Sequence, residues 1–84
     1  MFEILIDRPA EKDLRRLSDD VHKRITAAIS SLAVNPRPTG VKKLAGAPND
    51  WRIRVGEYRV LYEISDVIRV VRVFRVRHRR EVYR

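Results

Sequence analysis

The chain has 84 residues, 44% of them hydrophobic and 36% charged, with a formal net charge of +8. That length makes a single domain, residues 1–84, and the composition is that of a folded globular chain, not a disordered one. With no cysteine there is neither a disulfide framework nor a thiolate metal site. No apolar run approaches the ~18–20 residues needed to cross a bilayer, so the reading is a soluble, cytoplasmic protein with no membrane partner.

In chain order, Phe2 to Ile6 is a short apolar run that predicts a first strand. Asp7 stands where a helix N-cap belongs, with Pro9 in the first turn, where its missing N–H costs nothing. Ala10, Leu14 and Leu17 then recur at helical spacing, with Lys12, Asp13, Arg15 and Arg16 on the other face. Ser18 caps a second helix whose stripe is Val21, Ile25, Ala28, Ile29 and Leu32, ending at Asn35-Pro36. Arg37 to Asp50 reads as a connection that carries Lys42 and Lys43. Trp51–Val55 and Tyr58–Ile64 alternate as strands, joined by Gly56-Glu57, with glycine where a type II′ turn needs positive φ. Ser65-Asp66 is expected to turn the chain into a last strand, Val67 to about Arg77. The order is β-α-α-β-β-β: an α+β domain, with a helical hairpin on one face of a small, mostly antiparallel sheet.

The charge is not spread evenly. The last eighteen residues hold seven basic residues against Glu81, a surplus of +6, whereas the first sixty-six hold twelve against ten. A positive potential so focused suits a polyanion ligand. One strand register gathers Arg52, Arg54, Arg59, Arg75 and Arg77 on a single face, with Phe74 and Val76 opposite. Charged side chains also protect sheet edges from aggregation, but lysine would serve that purpose equally. The predicted strands contain arginine and no lysine, and arginine's planar fork binds phosphate oxygens in pairs and stays charged in a partly dry pocket. Arg72 has the parity of Phe74 and Val76, so it reaches the arginine face only through a bulge or a strand end. At the end of the chain His78 and Tyr83 each have the chemistry to give or take a proton.

The run Lys43-Leu44-Ala45-Gly46, the hairpin Trp51-Arg52-Ile53-Arg54-Val55-Gly56-Glu57-Tyr58-Arg59-Val60 and the ending Arg77-His78-Arg79-Arg80-Glu81-Val82-Tyr83 together resemble the RelE toxins of type II toxin–antitoxin systems. The resemblance runs the length of the chain and implies the RelE-like fold. It also implies a ribosome-dependent mRNA endonuclease that cuts the codon in the ribosomal A site by 2′-OH attack, without metal or cofactor, and is held in a hetero-oligomer by a RelB-like antitoxin. By position it implies catalytic roles for Arg59, Arg77 and Tyr83, and RNA or phosphate contacts from Arg52, Arg54, Lys42, Lys43, Arg75 and His78. The best-known member has lysines where Arg52 and Arg54 stand, and arginine is too basic to accept a proton, which leaves Tyr83 or His78 for that step. The related ParE toxins share the fold and poison DNA gyrase without nuclease chemistry, and a plain nucleic-acid-binding module is a third reading.

Overall fold

The computed structural model of the chain describes residues 1–81. It begins with β1 (Glu3–Ile6), α1 (Arg8–Arg15) and α2 (Asp19–Ser31). Asp7 and Ser18 occupy the two N-cap positions with extended backbone, but neither side chain closes its helix. The Asp7 carboxylate pairs instead with Arg72, while its carbonyl accepts the Glu11 N–H at 2.9 Å. α2 gives way after Ser31 to tighter turns, in which Val34 and Asn35 still donate to the Ser31 carbonyl at 3.2 Å. Coiling therefore persists to Pro36, although the regular helix stops short of it.

Four strands follow: β2 (Lys42–Lys43), β3 (Asp50–Val55), β4 (Tyr58–Ser65) and β5 (Val70–His78), with a 3₁₀ turn at Arg79–Glu81. The sheet order is β1-β5-β4-β3-β2, with β1 parallel to β5 and all other neighbours antiparallel. Two helices on one face of a mixed five-stranded sheet make the α+β architecture that the sequence predicts. The fifth strand, β2, lies inside the segment read as a plain connection and consists of the two lysines.

Ala10 and Leu14 of α1, Ile25 and Ile29 of α2, and Leu32 meet Ile53, Val60, Tyr62, Ile64, Val71, Val73 and Val76 from the sheet. Tyr62 is fully buried, and its hydroxyl donates to the Pro36 carbonyl at 2.7 Å. A buried hydroxyl needs such a partner, because an unmade hydrogen bond in the core costs about 1–3 kcal/mol. Burial raises the Tyr62 phenol to about 12, against a small opposing pull from Arg37.

Two irregularities set what the open face displays. The β4–β5 register jumps between Leu61↔Arg75 and Tyr62↔Val73, so Phe74 has no partner across the ladder. This bulge lets Val71, Val73 and Val76 all enter the core while Arg72, Arg75 and Arg77 share the other face. Phe74 does not join the core, as simple alternation predicts; it lies under the Arg72 guanidinium, 5.7 Å from ring centroid to Cζ. The second difference is the turn before β5, which spans residues 66–69 and not Ser65-Asp66. Val67 and Ile68, which mimic the start of a strand, are 93% and 69% exposed in it. Gly56 adopts φ +59° in the β3–β4 turn, as a II′ hairpin requires.

Candidate functional site

The β3–β4 hairpin sets Arg54 opposite Arg59, and β5 sets Arg77 beside Arg59, giving a row of three guanidinium side chains across adjacent strands. The next row is Lys42, Arg52, Leu61 and Arg75. Period-two pleating puts both rows on the face away from the helices. Arg59 is only 4% exposed, and its Nε and Nη1, like Nε of Arg77, are shielded from solvent.

The 3₁₀ turn closes over this row. Arg79 donates its backbone N–H to the Glu57 carbonyl at 2.7 Å, and its Nε lies 3.1 Å from the Glu57 carboxylate. Arg80 donates its N–H to Nδ1 of His78 at 3.2 Å. So anchored, Arg79 and Arg80 join Arg54 and Arg59 around a cavity of about 270 Å³. Arg79 is paired with Glu57, yet four arginines around one small cavity still concentrate positive charge there, and partial burial strengthens its field. An anion with several oxygens neutralises it, and guanidinium forks match such oxygens in pairs.

The remaining expected residues go to different places. Arg75 shares the face of the row, but its guanidinium turns back to Asp13 of α1, with contacts of 2.8 and 3.2 Å. The same carboxylate accepts the Val76 N–H at 2.9 Å. The reason lies in the sheet: β1 pairs with β5 only as far as Ile6↔Val73, so beyond it the edge of β5 needs another acceptor. His78 points to the helix side, packed edge-to-face on Tyr58 at 5.2 Å, in a cavity of about 170 Å³ shared with Asp13 and Arg16. Lys43 lies over Trp51, 6.0 Å from the ring centroid, with Arg37 at 5.1 Å. Lys42, Arg52 and Arg54 border a cavity of about 410 Å³ beside the C-terminal part of α2. Tyr83 lies outside the described residues. Sequence reading singled out neither Arg79 nor Arg80 as cavity walls, because they follow the last alternating residue, nor Glu57 as the anchor that holds them.

The model of the ParE toxin of type II toxin–antitoxin systems, parDE, matches residues 4–83. The chain belongs to the RelE/ParE family of toxins. It is 33% identical to toxin RelE3 of Methanocaldococcus jannaschii, over 98% of this chain and 96% of the relative. The isolated RelE toxin of E. coli superposes with a TM-score of 0.81 at 29% identity, over 99% of this chain and 92% of that one. RelE in the RelB–RelE complex of Methanococcus jannaschii gives 0.77 at 29% identity, over 94% of each chain. The archaeal RelE of the complex from Pyrococcus horikoshii, at 24% identity and a TM-score of 0.84 over 96% of this chain and 98% of that one, shares the fold. The family model carries the ParE name and the relatives the RelE name, so the choice of toxic activity falls to the residues of the open face.

Proposed function

We propose that this toxin is a ribosome-dependent mRNA endonuclease that cleaves the codon in the A site and so stops translation. The single observation that carries the reading is the cross-strand row Arg54–Arg59–Arg77, continued by Arg79 and Arg80, which with Arg54 and Arg59 line an arginine-walled cavity of about 270 Å³. In the reaction the RNA 2′-OH loses its proton and attacks the adjacent phosphorus, and the 5′-oxygen leaves and takes up a proton. The products are a 2′,3′-cyclic phosphate and a 5′-hydroxyl end. The nucleophile comes from the substrate, so the protein's task is to align it and to stabilise charge on the five-coordinate phosphorus. Arg59 and Arg77 are assigned to that charge, Arg54 and Arg52 to holding the flanking phosphates. Arginine is too basic for the proton transfer, which the family resemblance gives to Tyr83.

A RelB-like antitoxin is the proposed partner, as RelE toxins of E. coli and Methanococcus jannaschii have been solved in complex with RelB. An acidic segment laid over the open face would neutralise the arginine row and bar RNA from it.

The test is mapping of message ends from translating ribosomes after induction. Cuts within codons are expected in wild type, with Arg59→Ala lowering their yield by about 10²–10³-fold, the typical effect of losing one preorganised charge donor. The ParE name of the family model favours a second reading, gyrase poisoning. It predicts DNA breaks, intact message and toxicity indifferent to Arg59→Ala and Arg77→Ala.

A further inference from the structure

We propose that α1 carries a second phosphodiester-binding surface, which holds the RNA backbone where it leaves the arginine row; this rests on the RNA reading above. Arg8 and Lys12 of α1 and Arg16 at its C-cap are spaced i, i+4 and i+8, so they stack along one stripe of the helix. Arg75 of β5 faces them across a cavity of about 280 Å³. The one acid in that lining is Asp13, and its carboxylate is already committed to the Arg75 guanidinium and the Val76 N–H. Arg8, Lys12 and Arg16 are all exposed, and none forms an ion pair among the described residues.

The stripe is under strain at its Arg8 end. Like charges one turn apart repel, and Arg8, at the first helical position, opposes the positive end of the dipole, whereas Lys12 and Arg16 lie at the end that favours cations. A helix of eight residues has little intrinsic stability to set against this. A bound polyanion relieves the repulsion along the stripe and complements the positive end of the dipole beside Arg8.

The distribution of acids fixes the direction of the path. Towards β1 the open face is already neutralised: Arg72 is held by Asp7 and Glu63, and Asp50 sits beside Glu63 in the ladder. An RNA strand that continues along β5 past Arg75 to Arg72 meets carboxylates. One that turns at Arg75, about 7 Å along the same face of β5 from Arg77, crosses the β5 edge past the Arg75–Asp13 pair onto the α1 stripe, where Arg8, Lys12 and Arg16 supply the charge. A single RNA strand fits this series of spaced point charges, because binding of its phosphates is driven by counterion release and needs no base readout.

The test uses the purified toxin, a fluorescein-labelled unstructured RNA oligonucleotide and, as a competing polyanion, a labelled polyglutamate peptide. The triple variant R8Q/K12Q/R16Q is expected to melt close to wild type, since the repulsion it removes and the C-terminal dipole contacts it loses are of similar size. Its RNA affinity is expected to fall by about tenfold or more, and the slope of log K against log salt to become shallower by about 2, at roughly 0.7 per single-strand phosphate contact. If the triple variant does not fold, Lys12→Gln alone should still make the slope shallower by about 0.7. Unchanged affinity and slope overturn the proposal. Loss of polyglutamate binding with RNA binding intact also overturns it and assigns the stripe to an acidic peptide. Intact message under wild-type toxin, together with weakened RNA binding by the triple variant, would sink the nuclease reading and leave the α1 surface standing.

Discussion

Arg59 combines two properties that rarely meet in one side chain: a permanent charge and a solvent exposure of 4%. Lysine there would keep the charge and lose the planar fork, so Arg59→Lys should bind RNA with near-normal salt dependence and still lose most cleavage, read as product formed at saturating ribosomes. Tyr62 is the structural counterpart on the core side. Removing its hydroxyl in Tyr62→Phe strands the Pro36 carbonyl and should cost about 1–2 kcal/mol in urea unfolding. Its raised phenol also fixes a pH window. A group whose folded value lies above its unfolded one stabilises fully below the unfolded value, so this contribution is intact up to pH 10 and is lost as pH climbs towards about 12. Two units correspond to roughly 2–3 kcal/mol, and Tyr62→Phe should flatten that alkaline limb in melts taken from pH 9 to 12. The sequence marks Arg52, Arg54, Arg59 and Arg77 as residues of one face because strand parity is visible in it. It does not mark Asp13 or Glu57, whose partners lie in other elements: Arg75 is 62 positions away, and Arg79 sits beyond a turn.

Between elements, two contacts decide how the site is held. Asp13 ties α1 to the unpaired edge of β5 with three hydrogen bonds and is only 12% exposed in its side chain. Asp13→Ala leaves the Val76 N–H without its acceptor and removes a charged partner of Arg75, so a loss of about 2–3 kcal/mol is expected in denaturant unfolding. Glu57 is different, because both it and Arg79 are exposed, where an ion pair adds little to stability. Glu57→Gln should therefore leave the melting temperature unchanged while cleavage falls several-fold, through a looser 3₁₀ turn over the arginine row. Helices, hairpin and alternating strands are legible in the chain because each follows a local period. The bulge at Phe74 is half legible: the parity of Arg72 leaves a bulge or a strand end open and Arg72 unassigned, and only pairing with β4 decides for the bulge. The turn of residues 66–69 is not legible, because Val67 and Ile68 have strand chemistry and lack a neighbouring strand to pair with.

Over the whole molecule, charge is sorted along the sheet. Arginines converge where β5 ends, and carboxylates cluster where β1 and β5 run side by side. A net charge of +8 would attract any polyanion, but its focusing gives the encounter an orientation and a steep dependence on ionic strength. No helix among the described residues is long and apolar enough to cross a membrane.

Trp51 is the chain's single tryptophan, and the cations of Arg37 and Lys43 both lie over its ring at the β2 margin, beside the segment that Tyr62 fastens through Pro36. The molecule thus has a native optical reporter that needs no label. Its emission senses release of the 36–43 segment directly, and it is remote in the ladder from the Arg59–Arg77 pairing. Indole fluorescence followed through an alkaline titration would therefore separate loosening of that margin from events at the arginine row.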